Sequence, residues 1–245
     1  MKYLIIPLRS RTASFRDPEF QNFHRTLPLP PPATCIGLAG AALGLPPAKA
    51  QEHFVEGEWR IGIGGTSQGV ATDLWKFNDF KTGSILIREI LYGNRFFIVF
   101  GHDDATHLTQ LADAFKRPHF ALSCGPSDSL CTVRVNEMMI TDTIAESEQI
   151  VNCYVDGDII ADTLSAAVKG GSAAFSIRTT STPVAQDLPV RFDYQKNGIR
   201  MLRQRRLISY VQYPARLPDP VAGLTIPFDN LVADERSIFI PIFPL

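Results

Sequence analysis

The sequence is poor in cysteine, and its cysteines are not arranged in pairs. Cys35, Cys124, Cys131 and Cys153 form no C-x-x-C motif. Structural zinc sites and redox-active dithiols usually carry such motifs, so neither is indicated. Small thiols without a pairing pattern are typical of buried residues in a reducing cytosol, and we therefore expect a cytoplasmic protein without disulfides.

The sequence also lacks a long apolar run. The longest, residues 35–45, has about half of the roughly 18 residues that a transmembrane helix requires, so no membrane partner is predicted. Residues 3–8 are apolar, but this segment is too short for a signal peptide and arginines follow it.

Net charge is close to zero, because 24 basic residues face 25 acidic ones. This balance argues weakly against nucleic-acid binding, but the charges are segregated. Residues 1–49 carry six basic and two acidic side chains, residues 190–216 carry seven and one, and residues 134–162 carry one and seven. Such segregation predicts a basic face for phosphates, and the alternative is an ordinary solvated surface.

A proline run leads into a glycine-rich helix at residues 26–45 (TLPLPPPATCIGLAGAALGL). Four prolines in residues 27–32 hold the chain extended, and Thr34 is the expected helix N-cap. One face of the helix is expected to pack on a sheet, and a neighbouring face, with Gly37 and Gly44, has almost no side chain. Each helical glycine costs about 1 kcal/mol relative to alanine, so we expect a backbone, a sheet or a ligand phosphate to come close.

The first half of the chain has the pattern of a split βαβ fold. Strands are predicted at residues 2–8, 59–63, 84–90, 95–100 and 119–123, with a turn at 92–94, a flexible segment at 62–69 and a helix at 105–115 that Asp103 or Asp104 caps. This order indicates a ferredoxin-like or RRM domain at residues 1–133 with an insertion between its second and third strands.

After residue 133 the sequence is typical of a β-rich region. Short strand-like runs alternate with turns, and the runs are residues 150–155, 174–177, 190–194, 207–213 and 238–242. Residues 169–172 are expected to form a mobile loop. The predicted fold class is therefore α+β, with a ferredoxin-like domain followed by a β-rich domain at residues 134–245.

Three motifs resemble the Cas-five family, a subunit of type I CRISPR Cascade complexes. The first is the strand at residues 2–8, the ASFR segment at 13–16, the proline run and the glycine helix, although Arg11-Thr12 replaces the Gly-Pro of many members. The second is REIL at residues 88–91 before RFFIVF. The third is HFALSCGPSDS at residues 119–129. The resemblance covers about the first 130 residues.

The resemblance implies a non-catalytic subunit, of a type I-B-like complex, that acts in antiviral defence or RNA-guided DNA targeting. Such a subunit binds the 5′ handle of crRNA, caps the backbone filament and contacts the large subunit, and it meets target DNA only indirectly. The resemblance also implies that a β-hairpin thumb, at about residues 66–93, reaches onto the adjacent backbone subunit through Leu74, Trp75, Lys76 and Phe77. We expect no cofactor and no metal.

The candidate RNA-binding residues combine arginines, aromatic rings and small polar groups. Arginine holds phosphate and stacks on bases, rings stack on single-stranded bases, and a glycine lets backbone N–H groups approach a phosphate. For any one of them the alternative is a surface arginine or a core aromatic. The candidates are Arg9, Arg11, Ser14, Phe15, Arg16, His24, Arg25, Thr34, Gly125 and Ser127, with Trp75 as a further stacking surface.

Other functions are less well supported by the sequence. His24 with Tyr3 or Lys2 could serve a metal-independent endoribonuclease, but no motif requires it. The segment 102–107 (HDDATH) offers metal ligand types, although a helix cap explains it better. The glycines at 62–65 miss the G-x-G-x-x-G spacing of dinucleotide-binding loops. A purely structural protein, whose basic clusters meet acidic partners, remains a further alternative.

Overall fold

The computed structural model describes residues 1–20, 23–78, 83–169, 177–179, 181–195, 199–228 and 237–245. Its helices are α1 Pro32–Leu43, α2 Pro47–Val55, α3 Ala105–Lys116 and α4 Ile159–Lys169. Its strands are β1 Lys2–Ala13, β2 Phe15–Arg16, β3 Thr26–Leu27, β4 Arg60–Thr66, β5 Gly69–Asn78, β6 Gly83–His102, β7 Cys131–Val133, β8 Met139–Thr141, β9 Ala145–Ile150, β10 Cys153–Asp156, β11 Arg178–Thr179, β12 Val184–Tyr194, β13 Arg200–Val211, β14 Ala215–Pro227, β15 Ser237–Pro241 and β16 Phe243–Pro244.

The strands form one large sheet and a smaller one. The large sheet has the order β12-β13-β10-β4-β6-β1-β7, with β16, β5 and β8 paired at its sides. The smaller sheet has the order β11-β14-β15, with β9 on β14, and the strand pairs in both are antiparallel. The predicted α+β class with a β-rich C-terminal region is confirmed, and the large sheet is strongly curled. Strands from both sides of residue 133 share that sheet.

Strands β1 and β6 form the centre of the large sheet and are buried on both faces. Leu4 and Ile6 of β1 belong to the main core, under the helices, whereas Tyr3 and Ile5 face a second core. That second core is completed by β14 and β15 of the smaller sheet, for example by Ile240. Burial on both faces explains why these strands read as continuous apolar runs.

The predicted turn at residues 92–94 is wrong, because β6 continues through it as one 20-residue strand. Gly93 takes a left-handed conformation (φ 62°). Pairing with β1 nevertheless continues on both sides, with Thr12 opposite Tyr92 and Ser10 opposite Asn94. A glycine can take this conformation without strain, so the strand is locally distorted instead of ending.

The predicted flexible segment at residues 62–69 is also wrong, since most of it belongs to the buried strand β4. A Cβ added to Gly62 would lie 2.5 Å from Ile242 Cδ1, and one added to Gly64 would lie 3.1 Å from Ile240. These glycines leave room for the end of the chain to pack on β4.

Helix α1 begins two residues before the predicted cap. Thr34 is not the N-cap: the helix starts at Pro32, Pro31 occupies the cap position, and no side chain caps it. Proline suits the first turn because its φ is already helical and no intrahelical N–H is lost there. Gly44 ends the helix in the left-handed region (φ 72°), and Pro47 then begins α2, which the sequence analysis did not predict.

Helix α3 matches its prediction, but the segment after it does not. The Asp104 carboxylate accepts a hydrogen bond from Thr106 N (2.8 Å), so Asp104 is the cap. Residues 119–123 form no strand, because the N–H groups of His119 and Phe120 donate to the last carbonyls of α1. The strand that follows α3 is β7, which begins twelve residues later than predicted.

The second half contains two departures from its prediction. Asn152, in a left-handed conformation (φ 51°), divides the predicted strand at 150–155 between β9 and β10, which lie in different sheets. Helix α4 was not predicted. The predicted strand at 174–177 and the predicted loop at 169–172 lie largely outside the described residues.

Candidate nucleic-acid interface

A cleft of 1420 Å³ lies beside the first half of α1. Its other walls are the β2–β3 corner, the start of α2, the β5–β6 hairpin, the loop after α3, and the end of the β12–β13 ribbon. The cleft therefore lies where segments from both halves of the sequence meet.

The cleft is basic and aromatic. Arg16, Arg88, Arg200 and His24 line it, and the described lining residues include no Asp or Glu. Its aromatic lining residues are Phe15, Trp75, Phe120, Phe192 and Tyr194. Positive charge attracts a phosphate backbone, and exposed rings provide stacking surfaces for unpaired bases.

Many of the predicted site residues meet at this cleft. Those that line it are Ser14, Phe15, Arg16, His24, Thr34, Gly125 and, from the predicted thumb, Trp75. Residues that are up to about a hundred positions apart in the sequence are thus brought together. Their role in RNA binding remains a prediction.

The remaining candidates do not line the cleft. Arg9 lies on β1, 4.0 Å from Glu137, and Arg11 is exposed on the same strand. The Arg25 guanidinium lies over the ring of Phe20 (5.2 Å). Ser127 is exposed in the turn that follows Gly125.

The predicted thumb residues Leu74 and Trp75 lie on opposite faces of the β5–β6 hairpin. Leu74 is 67% exposed on the outer face, whereas Trp75 turns towards the cleft. Lys76 and Phe77 belong to β5, and their side chains lie outside the described part of the structure.

The short β2–β3 pair positions Phe15 and Arg16 on opposite sides. Phe15 pairs with Leu27, and its ring packs edge-on against Phe96 (5.6 Å), so Phe15 is a core residue at the base of the cleft. Arg16 pairs with Thr26 and is exposed. Alternation along a strand therefore buries the ring and directs the neighbouring guanidinium outwards.

Glycine stands at three positions of the α1 region for different structural reasons. A Cβ on Gly40 would lie 2.5 Å from the Ala50 Cβ of α2, and Gly44 has a positive φ at the helix end. A Cβ on Gly37 would meet nothing within 4 Å, and Gly37 faces the cleft. Only Gly37, among these three, leaves open space for a ligand.

Gly125 has a packing role that the sequence did not reveal. It has a positive φ (100°), and an added Cβ would collide with the Ser14 carbonyl oxygen. The Ser14 N–H donates to the neighbouring Cys124 carbonyl (3.1 Å). Glycine is thus required here for the loop to lie against the ASFR corner.

His24, Trp75 and Arg88 form one cluster on the hairpin wall. The Arg88 guanidinium lies over the Trp75 ring (5.1 Å), and the His24 ring meets that indole edge-on (5.9 Å). The backbone of His24 is fixed to β6, since its N–H donates to Ile87 and its carbonyl accepts from Glu89. Burial, with Arg16 and Arg88 nearby, lowers the pKa of His24 below its usual 6.5.

Arg88 and the residues of the β12–β13 ribbon were missed as cleft residues. Arg88 was noted only within the REIL segment. A charged residue inside the apolar run SILIREIL signals a buried ion that needs partners, and Arg88 is 5% exposed and bonded to Asp73 and Asp128.

The basic cluster at residues 190–216 does not form a free positive face. Most of its arginines are paired with carboxylates, two of which come from the acidic segment 134–162. The pairs are Arg191–Glu56, Arg203–Asp193, Arg205–Asp187, Arg206–Asp156 and Arg216–Glu148. Arg200 instead lies over the Phe192 ring (5.0 Å) and lines the cleft. Lys196 is outside the described residues.

The residues of the enzymatic alternatives lie apart or have other contacts. Tyr3 is in the second core, opposite Gly101 at one end of β6, whereas His24 contacts β6 near its other end. The His102 and His107 rings stack (4.6 Å), and within the described ranges no three His, Cys, Asp or Glu side chains are grouped as metal ligands. No described helix is long and apolar enough to cross a bilayer.

A family model described as "CRISPR-associated protein (Cas_Cas5)" matches residues 3–197, well over half of the chain. The chain belongs to this CRISPR-associated Cas5 family. The resemblance of the N-terminal motifs is thereby confirmed at the level of the family. Among the described residues that line the cleft, only Arg200 and Leu202 lie beyond the matched range.

Two solved structures with TM-scores of 0.50 or more share the overall fold of this chain. One described as "CRISPR RNA-guided surveillance complex" has a TM-score of 0.52 at 14% identity, covering 88% of this chain and 91% of that one. A "CRISPR protein from Archaeoglobus fulgidus" has a TM-score of 0.50 at 10% identity, covering 98% and 99%. A structure described as "Cas protein" is 23% identical over 51% of this chain and 57% of that one, with a TM-score of 0.36. None of the curated proteins compared with this Cas5 chain matches it.

Proposed function

We propose that this Cas5 protein is a non-catalytic subunit of a type I CRISPR Cascade effector complex, and that its cleft holds the 5′ handle of the guide RNA. The supporting observation is the lining of the cleft, where the exposed side chains of Arg16 and Arg200 lie among four aromatic rings that are not buried, those of Trp75, Phe120, Phe192 and Tyr194. Single-stranded RNA is bound by this combination of cations and stacking surfaces.

The open surface of α1 supports close approach of the RNA backbone. Thr34 and Gly37 face the cleft, and nothing occupies the space beside Gly37. A sugar-phosphate chain could therefore lie against the helix, within reach of the exposed Arg16 guanidinium on the adjoining corner.

The β5–β6 hairpin is proposed as the thumb that reaches onto the adjacent backbone subunit. Its outer face is apolar and exposed: Leu74 lies directly opposite Ile87, and the exposed fractions of Leu74 and Ile85 are 67% and 69%. Large exposed apolar patches mark interaction sites. The other face carries Trp75 and Arg88, so one hairpin serves both the partner and the cleft.

The remaining parts of the proposal concern organisation. The strand order β4-β6-β1-β7, with α1 and α3 as connections, supports a ferredoxin-like core at residues 1–133, followed by the β-rich region 134–245. We further propose that the protein caps the filament, contacts the large subunit, meets target DNA only indirectly, belongs to a type I-B-like complex and works in the cytoplasm, where its free cysteines suit a reducing environment.

RNA binding at different salt concentrations tests the proposal. A fluorescent RNA carrying the repeat-derived 5′ handle is titrated with the wild type, with Arg16→Ala, and with Arg216→Ala as a control. Arg216 is paired with Glu148, away from the cleft. We expect Arg16→Ala to weaken binding and to reduce the slope of log K against log salt by about 0.7 for each lost phosphate contact. Binding that is insensitive to salt, or equally weakened by both variants, would contradict the proposal.

One observation favours a second function, a metal-independent endoribonuclease. Burial, and then Arg16 and Arg88, lower the pKa of His24 and so favour the neutral imidazole that a general base requires, and this ring lines the cleft. Incubation with repeat RNA in EDTA distinguishes the two functions. A specific cut that His24→Gln abolishes would favour the nuclease. Intact RNA in a salt-sensitive complex would support the binding subunit. A protein that neither cuts nor binds RNA would favour the structural scaffold.

A further inference from the structure

Arg88 is the most unusual polar side chain of the cleft. It lies on β6, is 5% exposed, and lines the cleft. One of its nitrogens, Nη2, donates to both Asp73 Oδ2 (2.8 Å) and Asp128 Oδ2 (3.1 Å). Its Nε and Nη1 are buried and have no hydrogen-bond partner among the described residues.

Unpaired buried donors are costly, and nearly all buried polar groups in folded proteins have a partner. The side chain is also held firmly, since two carboxylates anchor Nη2 and the Trp75 ring covers the guanidinium plane (5.1 Å). A fixed guanidinium with unused donors in a cleft is a site for an acceptor atom of a ligand.

The local charge selects the kind of acceptor. Asp73 and Asp128 together carry two negative charges against one on Arg88, so a phosphate would be repelled at this point. A neutral acceptor, such as a base carbonyl oxygen or ring nitrogen, avoids this repulsion. The neighbouring rings of Trp75 and His24 supply stacking surfaces for such a base.

Arg16 has the opposite character. It is exposed at the rim of the cleft and is near His24 rather than a carboxylate pair. An exposed arginine with no ion pair to a carboxylate among the described residues is suited to a phosphate.

We propose that Arg88 reads one base of the RNA in the cleft through a base oxygen or nitrogen, whereas Arg16 holds a phosphate. The inference rests on the proposed function, because it requires RNA in this cleft. It adds a specificity-determining residue, and it divides sequence readout and charge neutralisation between two arginines.

Selection from a random RNA library tests this division. The full-length wild type, Arg88→Gln, Arg88→Lys, Arg16→Gln and the control Arg216→Gln are each incubated with RNA that has eight random nucleotides, and the bound RNA is sequenced. Affinities for the most enriched RNA are then measured over a range of salt concentrations, and thermal unfolding shows which variants are folded.

We expect the wild type to enrich one base at one or more positions. Arg88→Gln should lose the enrichment at one position and should bind the most enriched RNA about tenfold more weakly. The slope of log K against log salt should stay unchanged. Arg88→Lys keeps the charge beside Asp73 and Asp128 and should also lose that enrichment. Arg16→Gln should keep the base profile while its salt slope falls by about 0.7.

Two results would overturn the inference. One is a folded Arg88 variant with the base profile of the wild type. The other is a fall in its salt slope equal to that of Arg16→Gln, which would make Arg88 a phosphate contact. Failure of the wild type to bind any RNA in a salt-dependent manner would instead overturn the proposed function, so the two failures are distinguishable.

Discussion

Gly40 of α1 and Ala50 of α2 are in such close contact that a Cβ added to Gly40 would lie 2.5 Å from the Ala50 Cβ. Three residues earlier in the same helix, beside Gly37, there is open space. The two glycines therefore serve different purposes, one in packing the helices and one in shaping the cleft.

This difference predicts opposite effects of the same substitution. Gly40→Ala should lower the free energy of unfolding by about 1–2 kcal/mol, because overpacking exceeds the gain in helix propensity. Gly37→Ala should raise it by up to about 1 kcal/mol. Chemical unfolding of both variants measures the difference, and a loss of stability on Gly37→Ala would contradict the open space beside it.

A larger side chain at Gly37 should block the cleft without unfolding the protein. Gly37→Leu projects into the open volume beside α1, so we expect weaker RNA binding and a melting temperature at or above that of the wild type. Ala114→Leu, on the partly buried face of α3, is a packing control outside the cleft. Unchanged RNA affinity of Gly37→Leu would show that the RNA does not lie against α1.

Two arginines of β13 provide a matched pair for the electrostatics of the cleft. Arg200 lines the cleft, whereas Arg203, three residues on, is paired with Asp193 (3.0 Å). Arg200→Ala should reduce the salt slope of RNA binding by about 0.7, and Arg203→Ala should change neither affinity nor slope measurably. Equal effects of the two variants would mean that the whole ribbon, and not the cleft, attracts RNA.

The lowered pKa of His24 predicts a dependence of stability on pH. Its pKa is about 6.5 in the unfolded chain and lower in the folded protein, mainly because of burial and then of Arg16 and Arg88. The unfolded state therefore binds more protons as the pH falls through 6.5, and stability is lost there. Unfolding of the wild type and of His24→Gln at pH 7.5 and 5.0 should show a smaller loss in the variant, and equal losses would contradict this environment of His24.

The exposed apolar face of the hairpin predicts a variant that affects assembly alone. Leu74→Asp should bind RNA as the wild type does and should fail to co-purify with the backbone subunit, because the charge would be buried in that contact. Val168→Asp on α4, which is 69% exposed, is the control for an exposed apolar residue elsewhere. Normal assembly of Leu74→Asp would show that the hairpin does not form the proposed contact with the backbone subunit.

Local signals in the sequence predicted helix α3 and its cap, but not every local feature. The cap of α3 was narrowed to Asp103 or Asp104, and Asp104 is the cap, because capping depends on a few neighbouring residues; α3 itself follows from its apolar spacing. The turn expected at Gly93 did not form, since strand pairing with β1 on both sides of it outweighs the local preference of a glycine.

Contacts between distant residues could not be predicted in this way. Arg206 meets Asp156 and Arg191 meets Glu56, so the basic cluster is largely neutralised by partners that lie far away in the sequence. The same limit applies to Arg88, whose buried position depends on Asp73 and Asp128. The motif at residues 13–16 lies at one corner of the cleft, but the opposite wall on β12 and β13 is visible only in the fold.

Photo-crosslinking tests the central claim, that RNA lies in this cleft, most directly. An RNA with the repeat-derived 5′ handle and 4-thiouridine at successive positions is bound to the protein and irradiated, and crosslinked peptides are identified by mass spectrometry. We expect crosslinks on the aromatic lining, at Trp75, Phe120 and Phe192 or Tyr194. Crosslinks confined to the ion-paired surface around Arg206 and Arg216, with none in the cleft, would contradict the claim.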